Sequence, residues 1–386
     1  MKTAKKILFS FAILIFGVGA GILIWVFAFN GADKFQAFSD FPEKPQGNYD
    51  GFYYESLNDD EKIAYELIMA EIVNFPEKIH VPSLDEKELS NVFDALHYDN
   101  PNFFFLGDNC VFESSSFGTN YFVPEYAMSP KVYNRKMEEL EDVKDEILEN
   151  TAHLTDDYDK ELYVHDYIID NCQYVDKVGG SYSSSYGCLV DGYASCEGYA
   201  KAMKYLFDET GIENYIAFGT TEADNGQNDG HAWNIVQINS AFYHVDSTWN
   251  DPVDSDVENR YAYFNVNDEE ISKTHTVDKR FFGVCTATEE NYYVRNSLIF
   301  SEYNDDTRNA ITSEFARQLM LENSTLSFKV TDGKALNDMI ENLFELNSVY
   351  TILFSANSIA NKQISQQDIS YAIDDTHLIV IISDFI

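Results

Sequence analysis

Three segments of this 386-residue chain carry residues able to do acyl chemistry together, in the order thiol, imidazole, carboxylate. Cys196 stands in Ser195-Cys196-Glu197-Gly198-Tyr199-Ala200, ahead of Tyr199, Met203, Leu206 and Phe207 at helical spacing, with Gly211 as the stop. The thiol therefore falls in the first turn of a predicted helix. Backbone N–H groups without intrahelical partners and the positive end of the helix dipole favour a thiolate there. His231 lies in Gly230-His231-Ala232-Trp233-Asn234 and opens the apolar run Ile235 to Ile238, while Asp246 follows Phe242-Tyr243-His244-Val245. Between the two, Asn239-Ser240 is a two-residue hairpin signal. That loop sets Ile238 opposite Ala241, hence Trp233 opposite Asp246 and His231 opposite Thr248. Side chains alternate faces, so His231 and Asp246 share one as diagonal neighbours, within reach of a carboxylate-to-imidazole hydrogen bond. A slip of one residue would part them. Acyl transfer by a thiol needs a base, a group that fixes the base's tautomer, and donors for the oxyanion; the three segments supply the first two.

The run S-C-E-G-Y-A, then G-H-A-W-N, then Y-H-V-D-S-T-W-N-D-P resembles the transglutaminase-like superfamily. The spacings of 35 and 15 residues from Cys196 to His231 to Asp246 fit it. Tyr261-Ala262-Tyr263-Phe264, expected as a strand, and Asp268-Glu269-Glu270-Ile271 resemble its bacterial exported members. The resemblance covers roughly residues 155 to 280. It implies an α+β, papain-like transglutaminase core in which the helix bearing Cys196 packs on an antiparallel sheet. It further implies that Cys196 is the nucleophile, His231 the general base and acid, and Asp246 the orienting residue. Tyr186, just upstream, is the candidate oxyanion partner beside the Cys196 backbone N–H, with Trp233 and Trp249 as candidate groove residues. Ser195 and Glu197 flank the nucleophile where cross-linking animal members have Gln and Trp. The expected reaction is therefore attack on an amide or peptide carbonyl, with hydrolysis favoured over transamidation and no cofactor. Superfamily members that keep the fold as binding or scaffold modules make a non-enzymatic alternative.

Other polar positions carry less. His244 shares a strand face with Asp246 and reads as a packed or surface histidine. Asp251, Asp254, Asp256 and Glu258 form an acidic loop without the glycine-bearing pattern of a calcium loop. Cys172, Cys188, His153 and His165 lack zinc-ligand spacing, so no metal is expected. Five cysteines are too few for a disulfide scaffold, and buried free thiols are the expectation. A formal net charge of -39 repels phosphate backbones, which argues against nucleic acid as a partner; the resemblance implies a protein or peptide substrate, in the cell envelope for an exported chain.

The elements that must position these groups begin with Ile7 to Phe29, an apolar run with Ser10 as its one polar side chain, preceded by Lys2, Lys5 and Lys6. It predicts one transmembrane helix serving as a signal anchor over 1–30, N-terminus cytoplasmic, the rest outside; a cleaved signal is the alternative. Residues 31–50 read as a linker. A mixed helical support region follows over 51–130, with capping patterns at Asn58/Glu61 and Ser83/Glu86 and strands at Phe103–Leu106 and Tyr121–Val123. The catalytic region spans 131–290: helices over Lys131–Leu154 and Asp156–Cys172, then a Gly/Ser/Tyr-rich loop, Gly179–Gly187, expected to be flexible and to face substrate. A small α/β unit over 300–386 holds strands at Leu326–Val330, Tyr350–Phe354 and Leu378–Ile382 and a helix at Ala335–Leu346.

Overall fold

The computed structural model describes residues 9–15, 22–29, 49–115, 120–222, 228–251, 259–278, 284–362 and 369–385. Most of the linker segment 31–50, and Asp254, Asp256 and Glu258 of the acidic loop, lie outside them. The chain forms two units, Met1–Ile235 with Val277–Phe281 and Val236–Thr276 with Phe282–Ile386, so that the division falls inside the strand Asn228–Ile238.

In the first unit a five-stranded sheet runs, edge to edge, through Phe9–Ile15, Ile22–Phe29, Leu106–Ser115, Asn120–Tyr126 and Ile79–Val81. Within the run expected as a single helix over 7–29, Phe9–Ile15 and Ile22–Phe29 are two antiparallel strands, the second pairing in parallel with Cys110–Ser115, and the rest of the run lies outside the described residues. Its Ile, Phe and Val residues suit a pleated ladder as well as a helix, and periodicity does not separate the two in an unbroken apolar run. Among the described residues no helix is long and apolar enough to cross a membrane.

Asn58 caps the helix Asp59–Glu71 through the expected box with Glu61. The next helix, Glu86–Tyr98, uses Asp85 and Glu88 rather than Ser83 and Glu86. The later box wins because it puts Leu84 and Leu89, both buried, at the two positions of a hydrophobic staple. Phe104 and Phe105 are turn, and the strand starts only at Leu106. Phe103 and Leu106 close successive turns onto Asn100 and Phe103, around Pro101, so turn chemistry overrides aromatic strand preference. Helices Pro130–Thr151 and Asp157–Asn171 lie where expected.

The second unit holds the strand Ala241–Val245, the short helix Asp268–Ile271 and a four-stranded sheet of order Ile299–Phe300, Leu326–Val330, Ile379–Ser383, Ser370–Asp374. Tyr261–Phe264 form a turn rather than a strand; Val266 alone bridges back to His244. Asn265, at φ 53°, breaks any ladder between them. Tyr350–Phe354 belong to the helix Ser348–Ala360. Its buried residues Val349, Ile352, Leu353 and Ala356 follow a 3.6-residue period, which outlasts the short apolar run that suggested a strand. The helix Asp305–Met320, unforeseen in the sequence, completes this unit.

Candidate active site

Cys196 is the first residue of the helix Cys196–Thr210, which Gly211 ends at φ 80°. Tyr199, Met203, Leu206 and Phe207 form its core face, but Glu197 to Phe207 are all buried, so the helix is enclosed on every side. Cys196 itself is half-buried, while Cys110, Cys172, Cys188 and Cys285 are buried, all five as free thiols. Burial pushes the Cys110 thiol up to about 12 and, with Asp268 nearby, the Cys285 thiol also up to about 12. Those two are protonated bystanders at neutral pH.

The segment before Cys196 is built, not loose. Gly180–Ser183 form one 3-10 turn and Gly187–Asp191 a wide turn, with Ser183, Ser184, Ser185 and Tyr186 buried. Ser195 N–H donates to the Tyr182 carbonyl at 2.9 Å, and the Ser195 hydroxyl reaches the same oxygen at 3.2 Å. Two glycines make this clamp possible. A Cβ on Gly187 would sit 1.8 Å from the Ser181 carbonyl oxygen, and one on Gly198 would sit 2.4 Å from that of Tyr182. The flexible, substrate-facing loop expected here is thus a packed support for the helix start. Tyr186 points into it: its hydroxyl donates to Glu139, the Lys136 ammonium lies 3.7 Å from the ring centroid, and Phe104 packs beside it.

One turn along the helix, Glu197 and Lys201 form an ion pair at 2.8 Å with both side chains almost enclosed, 7% and 9% exposed. Lys201 also lies over the Tyr98 ring. Asp108, which accepts from Gly180 N–H, is held above the ordinary carboxylate range first by burial and then by the charge of Glu197. Sequence spacing contained this i,i+4 pair, but an ion pair of that spacing ordinarily sits in solvent, and nothing local marked this one as buried.

His231, 6% exposed, stands near the start of the strand Asn228–Ile238, its ring stacked with Trp233 at 5.9 Å between centroids. Trp233 is 1% exposed, so it is a packing partner of His231 and not an open groove wall. On the same strand Asn234 donates to the Ala200 carbonyl at 3.0 Å, tying the His231 strand to the Cys196 helix one turn from the sulfur.

In the second unit, Asn239 and Ser240 have φ of 51° and 67°, the left-handed pair of a two-residue hairpin loop between Ile238 and Ala241. Asp246, fully buried, follows that hairpin's second strand. Its Oδ1 accepts from Thr248 N–H at 3.0 Å and Trp249 N–H at 3.1 Å, while Oδ2 pairs with His275 Nε2 at 3.0 Å. His275 was not foreseen: a lone histidine 29 residues downstream has no motif, and only the fold brings it to the carboxylate. Trp249, half-buried, packs against His275 and Tyr263. His244 Nε2 lies 2.9 Å from Asp268 Oδ1, and Asp268 Oδ2 accepts from Cys285 N–H, so this histidine is packed, as expected, into a structural network.

Residues 144–247, which contain Cys196, His231 and Asp246, match the transglutaminase-like superfamily. Three solved structures are similar to the chain. One is a provisionally named cysteine protease from Cytophaga hutchinsonii, 16% identical, TM-score 0.25, over 34% of this chain and 51% of that one. Another is a TGase, 14% identical, TM-score 0.25, over 46% and 52%. The third is a provisionally named protease from Parabacteroides distasonis, 10% identical, TM-score 0.24, over 36% and 35%. The chain thus spans about half the length of the first two and about a third of the last. No curated protein matches it.

Proposed function

We propose that this chain is a cysteine hydrolase of the transglutaminase-like type, acting on amide or peptide bonds through Cys196, His231 and Asp246. The observation that carries the reading is the placement of Cys196. It is the half-buried cysteine among five, at the first residue of a helix inside the superfamily match. The hairpin loop at Asn239-Ser240 supports the register that puts His231 and Asp246 on one face. In this reading Cys196 gives its proton to His231 and its sulfur attacks the carbonyl carbon. The C–N bond breaks as His231 passes that proton to the leaving amine, leaving a thioester. Water then attacks, its proton going to His231 and on to the departing sulfur, which releases the acid and restores the thiol. The Cys196 backbone N–H, at a helix start and so without an intrahelical partner, serves the oxyanion. Tyr186 has no part in it, since its hydroxyl is committed to Glu139.

A thiol-directed peptide acyl probe tests this. Wild-type chain should label, and Cys196→Ala and His231→Ala should both lose labelling, by about 100-fold or more for the histidine. Cys188→Ser should label as wild type. Equal labelling of wild type and Cys196→Ala would sink the proposal.

A further inference from the structure

We infer that His275 is a positioning residue for this chemistry, acting through Asp246; the inference rests on the triad reading above. Both side chains are fully enclosed, at 0% exposure, and meet at 3.0 Å through His275 Nε2 and Asp246 Oδ2. A carboxylate only accepts, so Nε2 carries the hydrogen. The other ring nitrogen, Nδ1, lies 2.8 Å from the Thr274 hydroxyl. That hydroxyl is also hydrogen-bonded to Tyr263. The rings of Trp249 and Tyr263 flank the imidazole, at 4.7 Å and 5.3 Å between centroids, and fix its plane.

What this gives Asp246 is orientation. Two backbone N–H groups hold Oδ1 and one imidazole N–H holds Oδ2, so the carboxylate cannot rotate about its last bond without breaking all three. Held in that orientation, the carboxylate can face the imidazolium of His231 that forms in this reading. Buried networks of this kind are costly to interrupt, and Tyr263–Thr274–His275–Asp246 is continuous.

The test is the pH profile of Cys196 alkylation by iodoacetamide in the full chain, followed by mass of the Cys196 peptide. His275→Leu, which keeps bulk but loses the N–H, should slow alkylation at neutral pH about tenfold by raising the midpoint about one pH unit, with the alkaline rate unchanged. His275→Gln, which retains a donor, should recover most of the loss. A purely structural histidine would shift the melting temperature and leave the profile in place; an unmoved profile in folded His275→Leu overturns the inference. Should that variant fail to fold, Thr274→Val at a half-buried position should move the midpoint in the same direction by about threefold in rate, and no movement overturns it equally. His231→Ala separates the two readings. If it abolishes the profile while His275→Leu does not, the positioning role alone falls. If neither matters, the triad reading falls with it.

Discussion

Gly198 offers a sharp test of how the helix start is held. A methyl group there would come within 2.4 Å of the Tyr182 carbonyl oxygen, 2.7 Å of the Ala194 Cβ and 3.3 Å of the Ser184 carbonyl oxygen. Two of the three obstacles are backbone, so no rotamer change relieves them. Restoring an ordinary contact of about 3.4 Å to the Tyr182 oxygen requires the turn to retreat by about 1 Å, at an overpacking cost near the top of the usual range, ~3 kcal/mol. Alanine in place of glycine inside a helix returns ~1 kcal/mol. Gly198→Ala should therefore lose ~2 kcal/mol of stability, read by urea melts. The retreating turn is the one that holds Ser195, the residue before Cys196. A misplacement of that size costs about 100-fold in a reaction that depends on aligned groups, ~2.7 kcal/mol in barrier. Peptide-probe labelling of Cys196 should fall by about that factor in protein that is still folded at the assay temperature. Gly211→Ala is the control. Its φ of 80° makes alanine strained, yet nothing lies within 4 Å of the new methyl, so stability should fall by ~1 kcal/mol with labelling retained. Labelling at the wild-type rate in Gly198→Ala would refute the claim that the preceding turn sets the position of Cys196.

Two further outcomes follow from groups buried near that helix. Glu197→Gln should cost about 3–5 kcal/mol in denaturant melts by stranding the enclosed Lys201 charge, while the double variant Glu197→Leu/Lys201→Met should recover most of it; a double variant no better than the single would refute this. Burial raises Asp99 from 3.8 to about 6, against hydrogen bonds from Tyr54 and Tyr53, and burial lowers His97 from 6.5 to about 3, aided by Lys201. The folded state thus keeps a proton on Asp99 that the unfolded chain releases as pH rises from about 4 to 6, and refuses a proton on His97 that the unfolded chain takes up as pH falls below about 6.5. The two slopes oppose. Stability of His97→Gln should fall as pH rises from 4 to 6, that of Asp99→Asn should fall as pH drops below 6.5, and the reverse pattern in pH-resolved melts would contradict both assignments.

What could be read from sequence, and what could not, divides by the range of the interaction. The Cys196 helix and the hairpin loop were legible because their signals are local. Gly211 stops the helix at a left-handed residue, and Asn239-Ser240 adopts the two positive φ angles that a two-residue loop demands. The transglutaminase-like core was legible through three short motifs, and the 144–247 match contains Cys196, His231 and Asp246. Where local signals were ambiguous, tertiary context decided. Val349, Ile352, Leu353 and Ala356 chose a helix through their buried side, and turns closed onto Asn100 and Phe103 delayed the strand to Leu106. Three features of the site were beyond local reading for one reason. Tyr186 looked available because it precedes Cys196, but Glu139, 47 residues away in sequence, holds its hydroxyl. Glu197 and Lys201 had the spacing of a surface pair, but their helix is enclosed all round. His275 had no pattern at all, yet it is the side chain that grips Asp246. A motif is read from local spacing; the groups packed around it are recruited from wherever the chain returns, so they are less readable than the motif itself. By that logic Gly187 and Gly198, whose missing side chains let the Ser181–Ser184 turn press on the helix start, matter to Cys196 as much as any polar neighbour does.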